Sequence, residues 1–259
     1  MVAAEPDYIV KPVFKALAVL RCIGEAERPL ALGDVCLRAE LPKSTAFKYL
    51  RTLRDSGFVA HDPDTDTYRI GLMVWQLGQL SGEQNRIREV ALPAMRRLHG
   101  RFDETVNLGL PDGRDIVYLE MIESTRALRM QARLGSRDPL YSTALGKAYL
   151  AALDGDAWRN LVPTRLAPRT DHTVASLAAL RTELDQAQAR GYATEIGENE
   201  EGSSCVAAAI HDARGVPVAA ISVSAPDRRM DDELRAEIGK HVAAAAADCS
   251  QRLGYRTAL

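Results

Sequence analysis

The chain has 259 residues, 46% apolar and 26% charged, a length that suits two domains and a composition that excludes bulk disorder, collagen and low-complexity architectures. No apolar run approaches the roughly 18 residues of a membrane span, and Glu5, Pro6 and Asp7 stand where a signal peptide needs a basic end and an apolar segment, so a cytoplasmic protein is expected. The net charge of −2 is uneven: residues 11–54 carry nine basic side chains against four acidic ones, the pattern of a nucleic-acid module joined to an acidic body that repels DNA elsewhere.

In chain order, Val13, Leu17, Leu20 and Ile23 recur at helical spacing, predicting a helix over about Pro12 to Glu25 with Gly24 as a stop. A shorter helix follows over about Ala31 to Ala39, its apolar face formed by Leu32, Val35, Cys36 and Ala39. Glu40 and Leu41 make a tight turn, and Pro42 opens a third helix that runs to about Ser56. Gly57 closes it, Phe58 to His61 and Tyr68 to Ile70 read as strands, and the DPDTDT segment between them is a turn. Three helices and a hairpin in this order make a winged helix-turn-helix.

Setting Ala46 at zero and stepping about 100° per residue places Leu50 and Leu53 on the same buried side and Ser44, Lys48 and Arg51 opposite. Lys43, Thr45, Phe47 and Arg54 flank that outer face, which has four cations and no anion. Such a face suits phosphate positioning and base edges in the major groove, although a solvated basic helix has the same composition.

The next segment, Gly71 to Leu80, is apolar around much of its circumference and needs two partners, which favours a linker helix that also packs on a second subunit. Beyond it, helices are expected at Asn85 to Arg101 (with Pro93 inside), Thr143 to Leu153, Ser176 to Arg190 and Asp232 to Leu253. Strands are expected at Glu104 to Leu110, Asp115 to Ile122, Ala127 to Leu134, Tyr192 to Ile196, Ser204 to His211 and Pro217 to Ala225. Runs of strands broken by helices indicate an α+β domain with an antiparallel sheet flanked by helices.

The chemistry-bearing residues here are Lys147, Cys205, His211, Ser222 and Ser224. No GxSxG elbow is present, and ALGK lacks both the leading glycine and the following Ser/Thr of a phosphate loop. The cysteines at 22, 36, 205 and 249 form no CxxC and no paired histidine spacing, so neither a disulfide framework nor a structural zinc is expected. His211 reads as a surface residue and Cys205 as a small buried hydrophobe. No catalytic residue, metal or cofactor is assigned. Strand alternation puts Ser222 and Ser224 on one side and Ile221 and Val223 on the other. Two hydroxyls near the helix start at Thr143 to Gly146 can hold a small carboxylate; alternatively they satisfy backbone groups or face water.

The segments RPLALGDVC, LPKSTAFKYLRTLRDSGFV and YRIGLMVWQLG, followed by STALGKAYLA, GYATEIGENEEGSSCVAAAI and AAISVSAPDRRM, resemble in order the two halves of the IclR family of bacterial transcription regulators. The resemblance implies a winged helix-turn-helix over residues 9–71, a linker helix over 72–82 and a GAF-like effector-binding domain over 83–259. It also implies a homodimer or homotetramer on a palindromic DNA operator, controlling a catabolic operon in response to a small carboxylic or aromatic acid. By position, DNA recognition falls on Lys43, Ser44, Thr45, Phe47 and Lys48, to which the outer helix face adds Arg51. Effector binding falls on Ala144, Leu145, Gly146, Glu195, Cys205, Ser222 and Ser224. Phe47-Lys48 stands where many relatives have His-Arg, Ala144-Leu145 replaces a smaller pair of glyoxylate and pyruvate binders, and Glu195 replaces a shorter Asp. The competing reading is an enzyme acting on a small metabolite, with the basic segment serving assembly. Single-stranded RNA binding is disfavoured, because the basic segment has only Phe14, Phe47 and Tyr49 as aromatics and no sheet to present them.

Overall fold

Helix α1 (Lys11–Gly24) buries Val19, Cys22 and Ile23 against the two helices that follow it, α2 (Leu32–Arg38) and α3 (Lys43–Asp55). The computed structural model describes residues 9–80 and 82–256; the N-terminal segment 1–8, Ser81 of the expected linker and residues 257–259 lie outside the described residues. Two compact units divide the chain, one up to Gly82 and one from Glu83 onward.

In the first unit the turn between α2 and α3 has a physical signature. Glu40 adopts a left-handed φ of 52°, and the Leu41 amide donates back to Cys36 O at 3.0 Å, which closes the end of α2 and drops Leu41 into the core. Pro42 is the N-cap of α3 rather than its first residue. A short strand β1 (Leu30–Ala31), which the sequence pattern does not signal, pairs with β3 (Thr67–Ile70), and β3 pairs with β2 (Val59–Asp62) in an antiparallel wing. At Gly71 a Cβ would sit 2.2 Å from the Gly57 carbonyl oxygen, so glycine is required where the wing meets the helix α4 (Leu72–Gln79).

The apolar stripe expected on α1 is split. Ile23 is buried, but Val13 and Leu17 face solvent together with Val10 and Phe14, because α2 and α3 pack only on the side carrying Val19, Cys22 and Ile23. No residue of α4 is buried, and Leu72, Trp75, Leu77 and Leu80 are exposed.

The second unit is a three-layer α+β sandwich. Six antiparallel strands lie in the order β6-β5-β4-β9-β8-β7, namely β4 (Thr105–Asp112), β5 (Asp115–Ile122), β6 (Arg137–Pro139), β7 (Ala193–Ile196), β8 (Ser203–His211) and β9 (Pro217–Pro226). Helices α5 (Gly82–Phe102), which continues through Pro93, and α8 (Asp232–Arg252) cover one face with Met95, Leu98, Ile238 and Val242 over Val106, Leu108, Val206, Ile221 and Val223. Helices α6 (Ala144–Ala151) and α7 (Leu177–Arg190) cover the other, where Leu145, Ala148, Leu180 and Leu184 meet Ala207 and Ala220.

The strand expected over Ala127 to Leu134 is absent. Arg126 and Arg129 are drawn to Asp103 and Glu123, Thr105 Oγ1 donates to the Met130 carbonyl at 2.7 Å, and the Ala132 amide approaches Met121 Sδ at 3.4 Å. Side chains thus take backbone groups that a ladder would use, and the segment forms a wall at the end of the sheet. Backbone pairing with β5 resumes at Gly135 and Ser136, which bond Tyr118, and continues into β6, where Val117 faces Arg137.

Candidate functional site

Two regions carry the residues singled out above. On α3, Lys43, Ser44, Phe47, Lys48 and Arg51 are exposed and Thr45 is half-buried, while Ala46, Leu50 and Leu53 face the core. Lys43 and Lys48 enter no ion pair among the described residues; Arg51 and Arg54 both lean on Asp55, at 3.9 and 2.8 Å. The uncompensated cations therefore lie in the N-terminal half of the helix. The wing differs: its turn presents Asp62, Asp64 and Asp66, with Asp62 accepting from the Asp64 amide at 3.0 Å and Asp66 paired to His61 at 2.9 Å. The tip of the wing is thus acidic, whereas the N-terminal half of α3 is basic.

In the second unit, sheet register assembles a polar row. Glu195 pairs with Cys205 across β7 and β8, Cys205 with Ser224 across β8 and β9, Ser224 with Thr105 and Ser222 with Asn107 across β9 and β4. All lie on the α6 side, since Ile221 and Val223 point to the α5 and α8 layer. They line a cavity of about 280 Å³ that is bounded also by Tyr118, by the wall at Met130 to Arg133, and by Thr143, Ala144 and Leu145 at the start of α6. Of the seven expected effector residues, six line this cavity.

Gly146 does not. Its amide donates to the N-capping Thr143 Oγ1 at 3.1 Å, and a Cβ would lie 2.2 Å from the Leu140 carbonyl oxygen, so this glycine lets α6 approach the preceding chain. The Lys147 amide bonds to Thr143 O. That leaves the amides of Ala144 and Leu145, two residues that line the cavity, outside the intrahelical ladder at the helix N-terminus.

The acidic end is buried. Burial pushes the Glu195 carboxyl up to about 7, against the amides of Asn199 and Glu198 that donate to it. Its thiol neighbour Cys205, which hydrogen-bonds both Glu195 and Ser224, is raised well above the usual thiol range by burial and by the Glu195 charge, so it is held as a thiol rather than an activated nucleophile. Tyr118 donates to Asp138 Oδ2 at 3.2 Å across the cavity mouth. His211, expected at the surface, is half-buried at the far end of β8 and stacks on Tyr255 at 5.3 Å.

Two residues escaped sequence reasoning. Asn107, on a strand recognised only for its periodicity, donates through Nδ2 to Ser222 Oγ at 3.4 Å and Ser224 Oγ at 3.1 Å. The signal was an amide on the same face as two hydroxyls of the paired strand, legible only once β4 and β9 are known to be neighbours. Lys147, noted without a role, is buried, and its Nζ lies 2.5 Å from both Glu183 and Glu198. It ties α6 to α7 and to the β7–β8 loop whose amides hold Glu195.

Residues 12–63 match the IclR helix-turn-helix domain, and residues 80–251 match the C-terminal domain of the bacterial transcriptional regulator IclR. The chain is 34% identical over 252 residues to the HTH-type transcriptional regulator KdgR of Escherichia coli, covering 97% of this chain and 95% of that protein. It is similar to the crystal structure of Thermotoga maritima IclR, with a TM-score of 0.78, 31% identity and coverage of 95% of this chain and 100% of that one. An IclR homologue of Microbacterium hydrocarbonoxydans crystallised with 4-hydroxybenzoate superimposes with a TM-score of 0.81 at 26% identity, over 93% of this chain and 98% of the other. An exposed basic helix in one unit, a half-open polar cavity in the other, and family matches spanning both place this chain in the IclR family of bacterial transcription regulators, as a ligand-responsive DNA-binding protein.

Proposed function

We propose that this regulator binds a small organic acid in the cavity of the second unit and, as a homo-oligomer, thereby alters the hold of two α3 helices on a palindromic operator. The observation that carries the reading is the cavity itself: buried hydroxyls of Ser222 and Ser224 stand with the α6 N-terminus around a space of small-molecule size, an arrangement suited to a carboxylate. The aromatic acid held by the Microbacterium homologue supports the ligand class. On the DNA side, Lys43 and Lys48 position phosphates while Ser44, Thr45, Phe47 and Arg51 face bases or backbone.

Self-association is favoured by apolar surface left without a partner. Phe14 on α1 and Trp75 on α4 are 61% and 62% exposed, and each belongs to a group of exposed apolar side chains. A second copy covering them brings two recognition helices to half-sites about one helical turn apart, so small changes in separation cost contacts in both halves.

Two measurements test the reading. Gel shifts with the DNA upstream of the protein's own gene give a sequence-selective, salt-sensitive complex, and Lys48→Ala lowers its salt slope by about one; unchanged affinity and slope remove Lys48 from the interface. Calorimetric titration with organic acids shows weaker binding for Ser222→Ala than for the parent, by about tenfold, with operator binding in the absence of acid unchanged. Equal titrations of mutant and parent count against the cavity.

A further inference from the structure

We propose that Asn107 is a specificity-determining residue that selects acids bearing a hydroxyl on the carbon next to the carboxylate; the inference rests on the effector reading of the cavity. Asn107 is only 4% exposed, yet its Oδ1 has no hydrogen-bond partner among the described residues. Buried polar atoms are almost always paired, and an orphaned carbonyl oxygen on a rigid central strand marks a place where a partner is to arrive. The side chain cannot turn away to find one, because its nitrogen is fixed between Ser222 and Ser224 and its strand is paired on both sides. Asn107 lines the cavity, but Oδ1 itself is covered, so its partner reaches it only as the neighbouring side chains part around a ligand.

The same geometry states which group must arrive. Nδ2 donates to both serine oxygens, so each hydroxyl keeps its own proton: that of Ser224 can serve the Cys205 thiol, and that of Ser222 is available to an acceptor in the cavity. Ser222 and the amides at the start of α6 therefore take an anion, whereas Oδ1, on the other arm of the same amide, takes a donor. An anion and a donor separated by the width of one amide group describe a 2-hydroxy acid. A 2-oxo acid brings a second acceptor against Oδ1, and a plain alkanoate leaves Oδ1 unpaired; both forfeit the interaction.

The test is calorimetric titration of the full-length protein with two matched series: lactate, pyruvate and propionate, and mandelate, phenylglyoxylate and phenylacetate. The expected result is that the hydroxy acid binds about ten- to a hundredfold more tightly than its oxo and unsubstituted counterparts in the series the cavity admits. Asn107→Leu abolishes that preference, while Ser222→Ala weakens every member of the series alike. The parent protein decides the matter even if the Asn107 variant does not fold. Parity within a series overturns the inference alone, since water then meets Oδ1, and so does preference for the oxo acid, since the amide is then turned round. Failure of every acid to bind overturns the effector reading and this inference with it.

Discussion

The two units expose their polar chemistry in opposite ways. On α3 the cations stand in water with their stems uncovered, so they cost little to keep, fold independently of one another and act at a distance that salt screens. In and beside the cavity the polar groups are removed from water and are answered by others: Asn107 by two serines and Glu195 by two amides within it, and Lys147 by two carboxylates outside its lining. The comparison teaches that substitutions on the first surface change binding and spare stability, whereas those in the second region change both unless the replaced group keeps its partners satisfied.

The largest effect expected from this contrast is at Lys147. Lys147→Met keeps the stem but leaves Glu198 buried without its cation, and denaturant unfolding loses about 3–5 kcal/mol; the loss is confined to the transition of the second unit, and DNA affinity of molecules still folded is maintained. A cost below about 1 kcal/mol breaks the comparison, because the pair then behaves like a surface ion pair.

An intermediate effect is expected from Glu195. Its carboxyl, lifted by burial to about 7, is neutral below that pH and charged above it. An anionic effector therefore binds more weakly as pH rises through 7, by up to about tenfold per unit, and Glu195→Gln flattens the profile. A parent profile already flat between pH 6 and 8 means that the acid does not feel Glu195.

The smallest effect is on the wing. Asp64 is exposed beside the proposed duplex surface, and Asp64→Asn removes one like charge without disturbing the hairpin. DNA binding tightens by about two- to threefold at low salt and is unchanged at high salt. A weakening instead means that the tip touches bases or protein.

Much of the fold was legible in the sequence because its signals are local. The face of α3 that buries Ala46, Leu50 and Leu53, the alternation of Ser222 and Ser224 with Ile221 and Val223, and the amphipathic α8 each follow from a period of 3.6 or 2 within one element. The segment Ala127 to Leu134 was misread for the same reason: it has a strand-like pattern, but the side chains of Thr105 and Met121 take its Met130 carbonyl and Ala132 amide.

What the chain determined by itself is therefore most of the elements, many of their inward faces and the family to which its motifs belong. Tertiary structure alone decided which side of α1 is left uncovered, that Gly146 serves close packing rather than the cavity, and that Asn107 stands between two serines more than a hundred residues away with one oxygen unanswered. Periodicity reports which way a side chain points from its own backbone. Whether that direction ends in water, in a neighbour or in a cavity depends on which distant strand or helix is packed beside it, and this is set by the whole core.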